Sequence, residues 1–263
     1  MNGWLALGVA VTSMAYKASA DDALRVALTG LDEPAYQLQP RHRISLVIPA
    51  YNEHKYIGNL LRSARNQTEP LAEIIVADCS DPEDDTASIA RSWGARVIPV
   101  AQGNISGSRN SGAENASGDI LVFADADQIL SNSFVAQAVD ALEAGAVLAE
   151  PRLAIYDSAL WHMIMHGPQV IKMHGAPSCL AIWSQAFRDL GGYDVSCNLL
   201  ANGYCHEDVE FLNRAIKTYD QRALRLLSTY IGTSARRYKK FGFGGYGDNF
   251  ATPVRSYQLA VGS

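Results

Sequence analysis

From residue 41 onward the chain alternates two patterns. Short apolar, β-branched runs of the kind that form buried strands fall at Ile44-Ser-Leu-Val-Ile48, Glu73-Ile-Ile-Val-Ala77, Arg96-Val-Ile-Pro-Val100 and Ile120-Leu-Val-Phe-Ala124. Between them lie segments with apolar residues at helical spacing. These are Lys55–Asn66, with Ile57, Leu60, Leu61 and Ala64, then Thr86–Trp93, with Ala87, Ile89 and Ala90, and then Ser108–Ala116. Pro49 ends the first run, and the polar cluster Asp78-Cys-Ser-Asp-Pro82 ends the second. Strand and helix taking turns with short links predict an α/β fold with a Rossmann-like, mostly parallel central sheet flanked by helices.

In such sheets a ligand sits outside the carboxyl ends of the strands. Here those ends are Pro49–Glu53, Asp78–Asp81, Gly103–Arg109 and Asp125–Gln128, and all but the third carry carboxylates. Past Asp127 the rhythm changes. Phe134–Ala144 predicts a helix, Ala146–Ala149 and Leu180–Trp183 strands, Ser184–Leu190 a helix stopped by Gly191-Gly192, and Val209–Thr218 a further helix. Residues 228–263, rich in Gly, Tyr and basic side chains, read as a C-terminal lid or tail.

The apolar stretch Gly3–Tyr16 is 14 residues long, short of the roughly 18–20 that span a bilayer. Ala18-Ser-Ala20 resembles a signal-peptidase site, but no positive charge precedes the apolar stretch. Residues 1–40 are therefore read as an N-terminal helical extension that packs on the domain or lies on a membrane surface. The matching location is cytoplasmic, with peripheral membrane contact through that segment as its variant.

Composition narrows the picture further. The 263 residues are 48% apolar and 19% charged, which is globular composition. Lys and Arg number 22 against 27 Asp and Glu, a formal charge of −5. Gripping nucleic acid by bulk charge needs the opposite balance, so no nucleic-acid partner is expected. A chain this long buries its own core without cross-links, so Cys79, Cys179, Cys197 and Cys205 are read as reduced thiols. Cys197, Cys205 and His206 lack the second cysteine pair of a zinc site.

Three features carry candidate chemistry. Asp125-Ala-Asp127 follows an apolar strand directly, where two carboxylates can share a hard divalent cation or simply form a solvated turn. Asp208, in His206-Glu-Asp208, can be a general base or the N-cap of the following helix. Arg236-Arg237 and Lys239-Lys240 can clamp phosphate or form an ordinary solvated face. Gly232, Gly242, Gly244, Gly245 and Gly247 around them would let such a segment move.

The ordered series Val47-Ile-Pro-Ala-Tyr-Asn-Glu53, Ile75-Val-Ala-Asp-Cys-Ser80, Gly103-Asn-Ile-Ser-Gly-Ser-Arg-Asn110, Gly118-Asp-Ile-Leu-Val-Phe-Ala-Asp-Ala-Asp127, Leu190-Gly-Gly-Tyr-Asp194 and Glu207-Asp208 resembles family 2 glycosyltransferases of GT-A fold. Thr233-Ser-Ala-Arg-Arg237 is similar to their distal Ser-x-Arg-Arg element. The resemblance implies a single GT-A domain over 41–263. Its nucleotide-binding half is 41–130, its acceptor-binding half 131–227, and its lid or tail 228–263.

In that frame Pro49, Ala50, Tyr51 and Glu53 pack on base and ribose, Asp78 hydrogen-bonds the base, and Arg109 stands near the nucleotide. Asp125, followed by Ala126, is the ribose-side carboxylate, and Asp127 ligates Mn²⁺ or Mg²⁺ with Asp125 beside it. Asp208 is the catalytic base, with Glu207 supporting it, Tyr193 and Asp194 shape the acceptor side, and Arg236 and Arg237 meet the diphosphate. The chain departs from the family pattern at Ala77-Asp78-Cys79 and in the longer loop Asp81-Pro-Glu-Asp-Asp85. No histidine lies beyond His206 to serve as a late metal ligand, leaving His162, His166 and His174 as substitutes.

The implied function is a metal-dependent transfer of a sugar from a nucleoside diphosphate to a hydroxyl of a glycan, lipid-linked or protein acceptor. A single displacement with Asp208 as base inverts the anomeric centre. The alternatives are a retaining transferase on the same scaffold and a non-catalytic nucleotide-sugar-binding module. A sugar-nucleotide pyrophosphorylase would want an early Gly-rich basic loop, which Pro49-Ala-Tyr-Asn-Glu53 is not.

Overall fold

The computed structural model describes residues 20–33, 36–158, 178–199, 207–220 and 223–236. His162, His166, His174, Cys205, His206, Arg237, Lys239, Lys240 and the glycines after 240 lie outside them. Eight strands form one sheet: β1 (Ile44–Ala50), β2 (Glu73–Asp78), β3 (Arg96–Pro99), β4 (Ile120–Phe123), β5 (Gln128–Leu130), β6 (Leu148–Ile155), β7 (Leu180–Trp183) and β8 (Leu224–Thr233). Their spatial order is β3-β2-β1-β4-β7-β6-β8-β5. The four N-terminal strands in this order run parallel, β7 runs against both neighbours, β6 and β8 are parallel, and β5 is antiparallel to β8. The βαβ rhythm therefore produced the parallel sheet it predicts, and the change of rhythm past Asp127 marks the start of the mixed half.

The helices are α1 (20–28), α2 (Ile57–Arg65), α3 (Thr86–Ser92), α4 (Ile105–Glu114), α5 (Phe134–Glu143), α6 (Ser184–Asp189) and α7 (Glu207–Tyr219). One face of the sheet packs Leu46, Ile48, Val122 and Ala149 with Leu60 and Leu61 of α2 and Phe134 and Ala138 of α5. The opposite face packs Val47, Phe123, Leu148 and Leu180 with Phe187 of α6, Tyr193 and Phe211 of α7. Burial on both faces explains why β1 and β4 read as unbroken apolar runs.

Four details differ from the sequence reading. β1 continues through Pro49 to Ala50. The Val47 carbonyl accepts from Ala124 on the β4 side, while the Ile44 and Ala50 carbonyls accept from Ala72 and Cys79 on the β2 side. Pro49 shares the direction of Val47, past the last residue of β4, so its missing N–H leaves no ladder bond unmade. α4 starts at Ile105, three residues before the expected Ser108, because the Asn104 side chain caps it by accepting from the Gly107 N–H at 2.8 Å. β6 runs on to Ile155, its register with β8 slipping between Glu150 and Arg152, where Pro151 sits. Residues 228–233, expected in the tail, belong to β8, whose alternating burial is that of a strand within a sheet.

The described part of the N-terminal extension packs on the domain. Ala20, Ala23 and Ala27 of α1 are buried. The following 3₁₀ turn, Thr29–Leu31, is tied to the core. The Thr29 hydroxyl accepts from the Asn132 N–H, and the Asn66 side chain donates to the Gly30 carbonyl. A side chain at Gly30 would overlap the Leu130 carbonyl of β5, and the Leu130 N–H in turn donates to the Ser63 hydroxyl. Among the described residues no helix is long and apolar enough to cross a membrane.

Cys79 and Cys179 are free thiols. Cys197 is disulfide-bonded, which corrects the expectation that every cysteine is reduced. It is buried in the 3₁₀ turn Val195–Leu199.

Candidate active site at the carboxyl rim of the sheet

The expected rim forms a cleft of about 400 Å³, lined among others by Pro49, Ala50, Tyr51, Glu53, Asp125, Ala126 and Arg236. Cys79, Asn104 and Ser108 complete its far wall. A second hollow, lined by Asp119, Trp183 and Arg188, opens at the opposite end of the sheet and contains none of the predicted residues. Tyr51 is 52% exposed and lines the cleft. Asp78 ends β2 beside the cleft and accepts from the Ser80 hydroxyl and N–H at 2.6 and 3.2 Å.

Asp125-Ala-Asp127 forms a tight turn after β4. The Gln128 N–H donates to the Asp125 carbonyl, and the Gln128 side chain accepts from the Asp125 N–H, both at 3.0 Å. Each of the two carboxylates meets an arginine. Arg236 donates through Nε to Asp127 at 2.8 Å and grips Glu53 with both terminal nitrogens at 2.7 and 2.5 Å. Its guanidinium lies 4.7 Å from the centre of the Tyr56 ring. The Asp157 carboxylate fixes the approach of this arginine by accepting from Ser234 and the Ala235 N–H, at 2.7 and 2.6 Å. Glu53 and Asp127 hold the Arg236 guanidinium firmly protonated despite its partial burial.

Arg109 lies behind the cleft residue Asp125 and does not itself line the cleft. It is only 1% exposed, and it donates to Asp125 at 2.8 Å and to Glu207 at 2.5 Å. It thus joins the donor-side turn to the first residue of α7. Its guanidinium stacks 5.1 Å from the Tyr193 ring centre, and Asp125 leads the charges that keep it protonated against burial. Two features aim it. Gly112 lets α4 lie on β1, since a Cβ there would stand 2.3 Å from Val47 Cγ1. The left-handed Gly191-Gly192 turn, with φ of 78° and 70°, delivers Tyr193 to Asn110, which bonds its N–H and its carbonyl at 2.8 Å each.

Tyr193 therefore sits under the site, 2% exposed. Burial and three nearby carboxylates push its phenol well above the usual range, with Arg109 opposing. Asp194 is exposed and accepts from the Ser196 hydroxyl and N–H at 2.7 and 2.8 Å, opening the 3₁₀ turn.

Glu207 and Asp208 begin α7, where a helix N-terminus favours negative charge. Asp208 accepts only from the Val209 N–H, at 2.7 Å, among the described residues, and forms no ion pair there. Burial and the neighbouring Glu207 push its carboxyl up, while Arg109 and the Val209 N–H pull it back. The residue that sequence reasoning missed is Glu150 of β6. It is completely buried, and neither carboxyl oxygen has a hydrogen-bond partner among the described residues. Burial first, and Asp208 second, push its carboxyl up to about 8. The readable signal was one acidic residue directly after the apolar run Ala146–Ala149.

The donor set fits a hard divalent ion. Asp125 lines the cleft and Asp127 lies two residues on, bonded to the cleft residue Arg236, and such ions are commonly held by one or two carboxylates plus substrate phosphates. Among the described residues no cluster of three or more ligating side chains exists, so substrate oxygens and water would complete the shell.

An α/β sheet of this order, with its cleft and paired acids at the carboxyl rim, defines a GT-A type fold. Solved structures of the same fold include a mannosyltransferase of Pyrobaculum calidifontis in complex with GDP-Man and Mn²⁺ (TM-score 0.55, 20% identity, 88% of this chain and 68% of that one). Another is TarS of S. aureus (TM-score 0.58, 19% identity, 73% and 36%). A third is glucosyl-3-phosphoglycerate synthase of Mycobacterium tuberculosis with Mn²⁺ and UDP-Glc (TM-score 0.52, 20% identity, 73% and 70%). The profile of glycosyl transferase family 2 matches residues 45–189, more than half of the chain, and the chain belongs to that family. Curated relatives include the 4,4'-diaponeurosporenoate glycosyltransferases of Staphylococcus haemolyticus, 37% identical over 103 residues, and of Staphylococcus aureus, 39% identical over 90. The matches cover 36% and 32% of this chain and about a quarter of those relatives (27% and 24%).

Proposed function

We propose that this chain transfers a sugar from a nucleoside diphosphate sugar to an acceptor hydroxyl, with inversion and with Asp208 as the general base. The observation that carries the reading is how the acids divide. Asp125 and Glu207 share Arg109, and Asp127 shares Arg236 with Glu53, whereas Asp208 forms no ion pair among the described residues. A carboxylate raised by burial and left without a cation of its own is suited to taking a proton.

The donor would lie in the cleft, its base and ribose against Tyr51 and the β1 and β2 ends, its diphosphate toward Asp127 and Arg236. A Mn²⁺ or Mg²⁺ ion held at Asp127 and Asp125 would supply positive charge for the departing diphosphate. Asp208 takes the proton of the acceptor hydroxyl as that oxygen bonds the anomeric carbon. The bond from that carbon to the diphosphate oxygen breaks with its electron pair. Arg236, at the cleft wall, donates to the leaving oxygens. Arg109 holds Glu207 and Asp125 in fixed relation throughout.

UDP-glucose and GDP-mannose, named with the solved relatives, are the first donors to test, with hydroxyl-bearing glycans and lipids as acceptors. A donor should raise the melting temperature in Mn²⁺ and not in chelator, and the product anomer read by NMR should be inverted. Asp208→Asn should lose roughly 10²–10⁴-fold in turnover while keeping the donor-induced shift. Unchanged turnover in that variant, or a retained anomer, refutes the assignment.

A further inference from the structure

Glu150 lies on the same face of β6 as Leu148, two residues nearer the carboxyl rim. Its sheet neighbours are apolar: β6 pairs with β7 so that the next position opposite Glu150 is Leu180, and on β8 its partner is Leu226. α7 covers this face, its Phe211 fully buried against Tyr193 at 4.6 Å, and its first turn carries Asp208. The register of β6 against β8 shifts directly after Glu150, an irregularity of the kind that sheets carry beside active sites. A carboxyl with neither oxygen satisfied is costly in such a place, and an apolar residue would pack there better.

We propose that Glu150 is a positioning residue for Asp208: a neutral carboxylic acid behind the base whose O–H turns to the Asp208 carboxylate, directly or through one water, and holds it ionised and aimed outward. The inference rests on the reading of Asp208 as the base. Asp208 is the one charged group that bears on Glu150 among the described residues, and burial keeps Glu150 protonated at neutral pH. Cys179, from the segment entering β7, is a buried thiol and neutral there. The other groups facing Asp208 are Glu207 on its own helix, Arg109 from α4, Asp125 from the β4–β5 turn and the buried Tyr193 phenol after the Gly191-Gly192 turn. Two acids in one low-dielectric site with a single proton between them take opposite roles according to which is more deeply buried. Glu150 keeps the proton, and Asp208, next to Arg109, keeps the charge.

The test has two arms. In infrared difference spectra of the full chain at pH 6, the carbonyl stretch of a protonated carboxyl should vanish in Glu150→Gln and shift in Asp208→Asn. No band lost in Glu150→Gln, or a band unmoved by Asp208→Asn, overturns the inference. In the second arm, turnover of UDP-glucose and GDP-mannose with water as acceptor is followed against pH. Losing the donor in Glu150→Leu should move the acid limb of kcat/KM up by about one pH unit, roughly a tenfold loss below it, and Glu150→Gln, which still donates, should restore the limb. Superimposed profiles overturn the proposal, since a merely structural glutamate would change stability and leave the limb in place. A wild type that turns over neither donor removes the reading of Asp208, and the infrared arm then still decides where the proton sits.

Discussion

Replacing Arg109 by Met should be among the costliest single changes in this protein. The side chain is 1% exposed, and its two partners, Asp125 and Glu207, retain only 10% and 12% of their side-chain exposure. Met fills most of the volume but strands both carboxylates, with Asp208 a third acid close by. Breaking a buried ion pair by deleting one partner costs about 3–5 kcal/mol. For a chain of this size each kcal/mol moves the melting temperature by about 2–4 °C, so a fall of roughly 6–20 °C is expected. The assay is thermal and urea unfolding of wild type, Arg109→Met, Glu207→Gln and the double variant. Because the second substitution removes one stranded charge, the double variant should be more stable than the sum of the singles by about 1–3 kcal/mol. A fall below about 2 °C in Arg109→Met, or strict additivity in the cycle, would show that the bridge does not hold the two sides of the site together.

Three further outcomes follow from the same geometry. Glu150 carries an ordinary carboxylate pKa of 4.5 when unfolded and about 8 when folded, so the folded state holds a proton the unfolded chain has released. Its contribution is greatest below pH 4.5 and is lost at about 1.4 kcal/mol per pH unit up to about pH 8. Glu150→Gln should therefore gain roughly 3 kcal/mol on the wild type between pH 4.5 and 7, and a flat difference in urea titrations refutes the buried neutral acid. Arg236→Gln removes charged hydrogen bonds at the cleft wall and should weaken donor binding about 10- to 100-fold by calorimetry. Unchanged affinity places the diphosphate elsewhere. Gly112→Val drives a branched side chain into Val47 and should lower the urea midpoint by the equivalent of about 1–3 kcal/mol, an effect absent if α4 can simply lift.

Most of the parallel half was legible because each strand there is buried on both faces and each helix has one apolar stripe. The same reasoning located the rim, since the carboxyl ends of β1, β2 and β4 follow from strand order alone. β5 was invisible: Gln128-Ile-Leu130 is three residues long and exists as a strand only because β8 pairs with it. β8 itself was masked by half-exposed, Tyr- and Gly-bearing composition that resembles a loop until its neighbours are known. Among the expected site residues, the structure brings Ala50, Asp125 and Arg236 to one cleft and bonds Asp127 to Arg236. The sequence placed Arg109 by its helix but not its direction, because a residue at a helix N-terminal turn can face the ligand or the core. Packing of Gly112 on Val47 and of Tyr193 on Asn110 makes that choice, and neither contact is local in sequence. Glu150 was legible only as a lone acid after an apolar run, for a related reason: its surroundings depend on α7 lying above β6, some sixty residues later in the chain.

The docking of Gly30 against β5 has a wider meaning. β5 is the last strand in the sheet order, so one side of its backbone would otherwise stand open as a template for any passing extended chain. The Ser63 hydroxyl and the Thr29–Leu31 turn occupy that margin instead. The short segment ahead of the first strand thus acts as a selvage, a finished border that keeps one molecule from knitting onto the next.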